Sequence, residues 1–145
     1  MCKLPDKVQP KNKVQLKSLI DHAFNHNIYD LNFIDTSKIT DMSNLFEDIR
    51  HNFDVSKWDM SNVIDISFMF YGCHNFNCDL SRWNVSKVKN MRGMFQFASS
   101  FNQPLDKWDV SSVENMSSMF YDAAAFSQNL DCWNVSKVKT MRFMF

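Results

Sequence analysis

The chain has 145 residues, 45% of them apolar, and its acidic and basic side chains balance to a formal net charge of zero. That length suits one folding unit with enough apolar surface for a core, and the composition excludes a disordered chain. Neutrality argues against a dedicated nucleic-acid binder or a polybasic membrane binder, and no stretch is apolar for long enough to span a bilayer.

The first residues, MCKLPDKVQPKNK, lack the apolar centre of a signal peptide. Cys2 behind Met1 also suits the lipidated cysteine of a trimmed lipoprotein. Further on, Leu16, Leu19, Ile20, Ala23 and Phe24 share one helical face, Asn12 and Gln15 are spaced like a capping box, and Pro10 lies just upstream. The pattern predicts an amphipathic helix from about Lys13 to His26. Residues 1–33 are thus expected to be an N-terminal arm and a helix that caps the first open repeat. His22 and His26 have the i, i+4 spacing of a metal pair, but no third ligand accompanies them. A usable site needs three or four ligands, so they read as a solvated helix face.

From residue 34 to 145 the chain repeats itself. Trp58, Trp83, Trp108 and Trp133 recur every 25 residues, followed by WDMSNVIDISFMF, WNVSKVKNMRGMF, WDVSSVENMSSMF and WNVSKVKTMRFMF. A fifth copy, IDTSKITDMSNLF, begins at Ile34, one residue short of the period, and the shortening falls in EDIRHNFDVSK. The units therefore start at 34, 58, 83, 108 and 133, giving about 4.5 repeats.

Within each unit the Trp-x-Val alternation predicts a short strand. A polar column follows, Asp41, Asp65, Asn90, Asn115 and Thr140, whose side chains suit helix N-caps. After it, Met91, Met94 and Phe95, then Met116, Met119 and Phe120, have the i, i+3, i+4 spacing of a short helix. Phe76, Phe101 and Phe126, then Leu80, Leu105 and Leu130, complete the expected core with Trp58, Trp83 and Trp108. The sequence thus predicts an α/β repeat: a right-handed, leucine-rich-repeat-like solenoid with one short parallel strand and one short helix per 25-residue unit.

Cys2, Cys73, Cys78 and Cys132 form no CxxC pair and fall in different columns, so they read as free thiols, with Cys73 buried where Ala98 and Ala123 stand in later units. The serine column, Ser37, Ser61, Ser86, Ser111 and Ser136, lacks a neighbouring histidine and reads as structural, its hydroxyls bonding to backbone. No Gly-rich phosphate loop, metal-ligand spacing or isolated carboxylate pair occurs. The expectation is a protein with no catalytic residues, no cofactor and no metal.

The block WDVSSVENMSSMFYDAAAFSQNLDCWNVS resembles the tandem repeats of bacterial surface proteins described as BspA-like leucine-rich repeat proteins. The resemblance runs from about Asp30 to Phe145, carried by W-[DN]-V-S-x-V-x-x-M-x-x-M-F. It implies a leucine-rich-repeat-related solenoid, a cell-surface or secreted location, and a role in adhesion or binding with no established activity. With no visible secretion signal, a cytoplasmic location and an intracellular protein–protein scaffold form the alternative.

Two surfaces stand out for binding. Lys87, Lys89 and Arg92 make one basic cluster and Lys137, Lys139 and Arg142 another, two units further on. Together they suit a regular polyanion, such as a glycan or a teichoic-type polymer. In the column Lys89, Glu114, Lys139 the charge alternates in sign, which allows ion pairs between units, although such charges ordinarily form a solvated face. The second surface is an apolar end face of Trp133, Val135, Val138, Met141, Met144 and Phe145, where two chains would pair end to end in a two-fold dimer. The ligand itself, protein or glycan, is not written in the sequence.

Overall fold

A computed structural model describes residues 7–145; Cys2 lies outside them. One helix is present among these residues, α1, Lys13–Asn25. Asn12 caps it by accepting the Gln15 backbone N–H at 3.0 Å. The Gln15 side chain reaches back to the Lys11 N–H at 2.9 Å, one residue before the cap itself. Leu16, Ile20 and Ala23 are buried and join the same core as the repeats. Val8 bridges in parallel to Ile34, and Lys13 pairs with Asp41, so the arm and helix lie against the first unit. No helix of the described residues is long and apolar enough to cross a membrane.

The rest of the described chain contains isolated parallel bridges and turns, without an extended strand, a sheet or a second helix. The expected α/β leucine-rich-repeat-like solenoid is therefore not formed, and the strand and helix assigned to each unit are both corrected. The Trp-x-Val segments are short joints between two turns. Val88 N–H bonds the Val85 carbonyl at 2.9 Å and Val113 N–H bonds Val110 at 2.9 Å, closing four-residue turns that bury their end residues and leave the middle outside. Trp83 and Val85 are buried on either side of exposed Asn84, so the strand-like alternation is confined to the joint between turns.

The Met-x-x-Met-Phe segments fail as helices for a definite reason. Asn44, Phe68, Gly93, Ser118 and Phe143 all have φ between 54° and 58°, and Asp48, Gly72, Phe97 and Asp122 between 55° and 67°. A left-handed residue at every fourth position interrupts the negative φ run of a helix. Each falls third in a four-residue turn, where a type II turn requires positive φ. Met94 N–H bonds Met91 (3.3 Å) around Gly93, and Ala98 N–H bonds Phe95 (3.0 Å) around Phe97. Alternate N–H groups point out of the turns and into the next unit: Met91, Gly93, Phe95 and Phe97 donate to the carbonyls of Asn115, Ser117, Met119 and Tyr121, each at 2.9 Å. These segments form a hydrogen-bonded wall running from unit to unit. The column expected to cap helices, Asp41, Asp65, Asn90, Asn115 and Thr140, carries the parallel bridges of that wall.

Two further ladders hold the units in register. Each Trp indole N–H donates to a carbonyl of the preceding unit: Trp58 to Leu31, Trp83 to Val55, Trp108 to Leu80 and Trp133 to Leu105, at 2.9–3.0 Å. On the return side, Asn77, Asn102 and Ser127 donate their N–H groups to the side-chain oxygens of Asn52, Asn77 and Asn102. Inside, Phe46, Phe70, Phe95 and Phe120 stack at 5.5–5.7 Å between ring centroids, interleaved with Phe76, Phe101 and Phe126 at 3.9–4.1 Å. Trp83 and Trp108 stack at 6.3 Å. Met91, Met94, Met116, Met119, Leu80 and Leu105 are buried beside them; Phe126 and Leu130 are partly buried. No buried side-chain nitrogen or oxygen among the described residues lacks a partner.

Candidate functional site

The serine column has a different partner from the one expected. Ser37, Ser61, Ser86, Ser111 and Ser136 donate their backbone N–H groups to the Asp or Asn two residues earlier, at 2.9–3.2 Å. The Ser86 hydroxyl also bonds the Asn84 side chain rather than backbone. These are Asx turns, and the D/N-x-S spelling signalled them. Asp79 and Ser81 form a further turn of this kind at 2.9 Å, and such donors hold the carboxylates below the ordinary value of 3.8: the Ser37 hydroxyl and then its N–H act on Asp35, the Ser81 N–H and then its hydroxyl on Asp79, and the Ser111 hydroxyl and then its N–H on Asp109.

The basic residues lie on the outside, and three of the six are engaged by neighbours. Lys87 donates to the Asn62 side chain at 3.0 Å, and Lys139 pairs with Glu114, which lowers the Glu114 carboxyl. Arg92 lies with its guanidinium 5.4 Å from the centre of the Phe68 ring. Lys89, Lys137 and Arg142 are exposed. On the last unit Trp133 is buried, Val138 and Met144 are partly buried, and Val135, Met141 and Phe145 are exposed.

Burial holds Cys73 and Cys78 in the thiol form. Cys73 donates its thiol to the Phe46 carbonyl at 2.9 Å, and burial pushes its pKa up to about 12. Burial does the same to Cys78, which faces Asp54 at 3.5 Å; Cys132 is exposed. A shallow groove of about 440 Å³ includes Asp30, Asp54 and Asp79 in its lining. The His22 and His26 rings lie 4.2 Å apart, and no group of three or more metal-ligating side chains occurs among the described residues.

One feature of the surface escaped the sequence reading. Phe68, Tyr71, Phe97, Tyr121 and Phe143 form a continuous row on the outside of the wall, with centroid separations of 6.0, 5.4, 5.8 and 6.5 Å. Every contact is edge-to-face, at 70–85° between ring planes, a favoured geometry for aromatic pairs. Three of the five, Phe68, Phe97 and Phe143, stand in left-handed backbone, where other units have Gly, Asn, Ser or Asp. A bulky side chain there costs about 1–2 kcal/mol. The Phe68 ring occupies the space above Gly93: a Cβ on that glycine would meet Phe68 Cε1 at 2.4 Å.

A family model described as "Mycoplasma protein of unknown function, DUF285" matches residues 14–96 and again residues 46–145. The chain belongs to this family. The DUF285 assignment fits the resemblance to a BspA-related repeat family at that coarse level, and the description attaches no function to it. No curated protein and no solved structure matches the DUF285 chain.

Proposed function

We propose that the chain is a non-catalytic binding module of the bacterial surface-protein type, recognising a protein or a host surface. The supporting observation is the row of half-buried and exposed aromatic rings on the outer side of the hydrogen-bonded wall. Aromatic side chains concentrate at protein-recognition surfaces because they offer large contact area with little conformational freedom to lose. Left-handed backbone is retained at half-buried Phe68 and Phe97, whose rings lie outside the core, and such strain clusters at ligand-binding sites. The test is adsorption of the folded chain to immobilised matrix proteins, with and without the Tyr121→Ala substitution. Saturable binding weakened by the substitution supports the reading; binding indifferent to it removes the aromatic row from the argument.

The second reading is a binder of anionic polymers through the repeated lysine and arginine clusters. It draws on the exposed Lys89, Arg92, Lys137 and Arg142. Binding of that kind weakens steeply with salt. Reversing Lys89 and Lys139 to Glu abolishes it; unchanged binding to an anionic polymer after reversal refutes it.

A further inference from the structure

We infer that the aromatic row is a docking track for an acidic, proline-rich segment in polyproline II conformation. This rests on the reading of the chain as a protein-binding module and names the class of partner. Three observations carry it: the period of the row, the charge along its edge, and a gap within it.

The period comes from the wall. Its units are joined by parallel backbone hydrogen bonds, so neighbours rise by about 4.8 Å and alternate units by about 9.6 Å. Tyr71 and Tyr121 occupy the same position two units apart, with Gln96 between them in that column and the Phe97 ring between their rings. A polyproline II helix has three residues per turn and advances about 9.3 Å per turn. Prolines repeated every third residue therefore meet Tyr71 and Tyr121 in register, with the Phe97 ring filling the interval. Aromatic-lined tracks are the established way to receive such helices, whose stiffness leaves little entropy to lose.

The charge has the same period. Arg92 and Arg142 share one position two units apart, with Ser117 between them. Both are exposed, and neither takes part in an ion pair among the described residues. Arg92 is held against the Phe68 ring, at the edge of the row. In other units Asp48 and Asp122 occupy the Phe97 position, the last column of the row, and Glu47 the Tyr71 position. The track thus carries arginines before its first column and carboxylates in its last two. It orients a ligand whose carboxylates recur once per turn on the face that meets the arginines.

The gap follows from one residue. In the column of Phe68 and Phe143 the two intervening units have Gly93, which lies beneath the Phe68 ring, and Ser118, which no ring covers from its own column. Gln96, Ser118, Tyr121 and Phe143 line a shallow cavity of about 220 Å³. That is several water volumes, room for a ring-sized side chain.

The test uses a fluorescent peptide of Pro-Pro-Glu triplets, titrated with the full chain and read by anisotropy. Controls are Pro-Pro-Lys triplets, a peptide of the same Pro and Glu content with the period scrambled, polyglutamate, and a uronate polysaccharide. Saturable binding of the periodic acidic peptide is expected, weakened about tenfold or more by Phe97→Asn. Asparagine accepts left-handed backbone better than phenylalanine, so this variant keeps the fold, which thermal melting verifies. Arg92→Gln with Arg142→Gln should weaken binding and flatten its salt dependence. Equal binding of the scrambled peptide or of polyglutamate overturns the periodic track. Preference for the polysaccharide, lost with Phe97→Asn, overturns the peptide in favour of a glycan. If no peptide binds while a matrix protein is still captured through Tyr121, the docking inference fails and the binding-module reading stands.

Discussion

Replacing Trp108 by phenylalanine tests whether the indole ladder sets the strength of the contact between units. Trp108 is 3% exposed, stacks on Trp83 at 6.3 Å, and donates to the Leu80 carbonyl at 2.9 Å. That carbonyl also accepts the Trp83 backbone N–H at 3.0 Å, so the substitution leaves it one donor. Losing the indole bond alone therefore costs about 1 kcal/mol, the net value of one hydrogen bond, without the larger penalty of an orphaned carbonyl. Phenylalanine also has two fewer buried carbons, at about 0.8 kcal/mol each. The expected loss is about 3 kcal/mol, just under the range for truncating a buried tryptophan to alanine. Urea unfolding followed by far-ultraviolet circular dichroism measures it, with the slope unchanged if the denatured state is unaffected. Trp83→Phe should lose a similar amount, because its indole meets the Val55 carbonyl in the same way at 3.0 Å. A loss below about 1 kcal/mol in either variant refutes the ladder as a principal tie.

Gly93→Ala should destabilise by about 1–2 kcal/mol for its left-handed backbone alone. It should also displace the Phe68 ring, since the new Cβ would lie 2.4 Å from Phe68 Cε1; unchanged stability in urea would refute the packing of that ring. Stability should fall in acid. Asp35, Asp79 and Asp109 have folded values below 3.8, so their contribution is complete above that pH and is lost as the pH falls through the lowered values. Melting temperature recorded between neutral pH and about pH 2 checks this, and Asp109→Asn, which keeps the turn as Asn84 does, should reduce the acid loss. Identical acid profiles for the two proteins would exclude Asp109 as a contributor.

The columns of Trp, Met, Phe and Leu were legible because burial repeats at a fixed period whatever the backbone does between. The helix at Lys13–Asn25 was legible because its cap and its apolar face agree. The conformation of the Met-x-x-Met-Phe segments was not. Spacing of i, i+3, i+4 suits a helix, but chained type II turns bury the same residues. The discriminating sign was the left-handed position, where both glycines of the chain stand with Asn44, Asp48 and Asp122. Phe68, Phe97 and Phe143 at equivalent positions concealed it. The aromatic row was hidden for the same reason. Its members come from three columns, and only a wall of turns makes those columns neighbours.

The indole clips and the asparagine ladder also decide where length can vary. Asn75 reaches the Arg50 carbonyl and Asn77 the Asn52 side chain across 25 residues, whereas the wall ahead of them pairs the first two units one residue closer in number. The missing residue is thus absorbed between Ile49 and Arg50, after the wall and before the ladder resumes. Trp58 still finds the Leu31 carbonyl at 3.0 Å. Insertions and deletions in a chain built this way are steered into a single outward bend of each unit. Its contour can diversify there while the wall and its display positions keep their spacing.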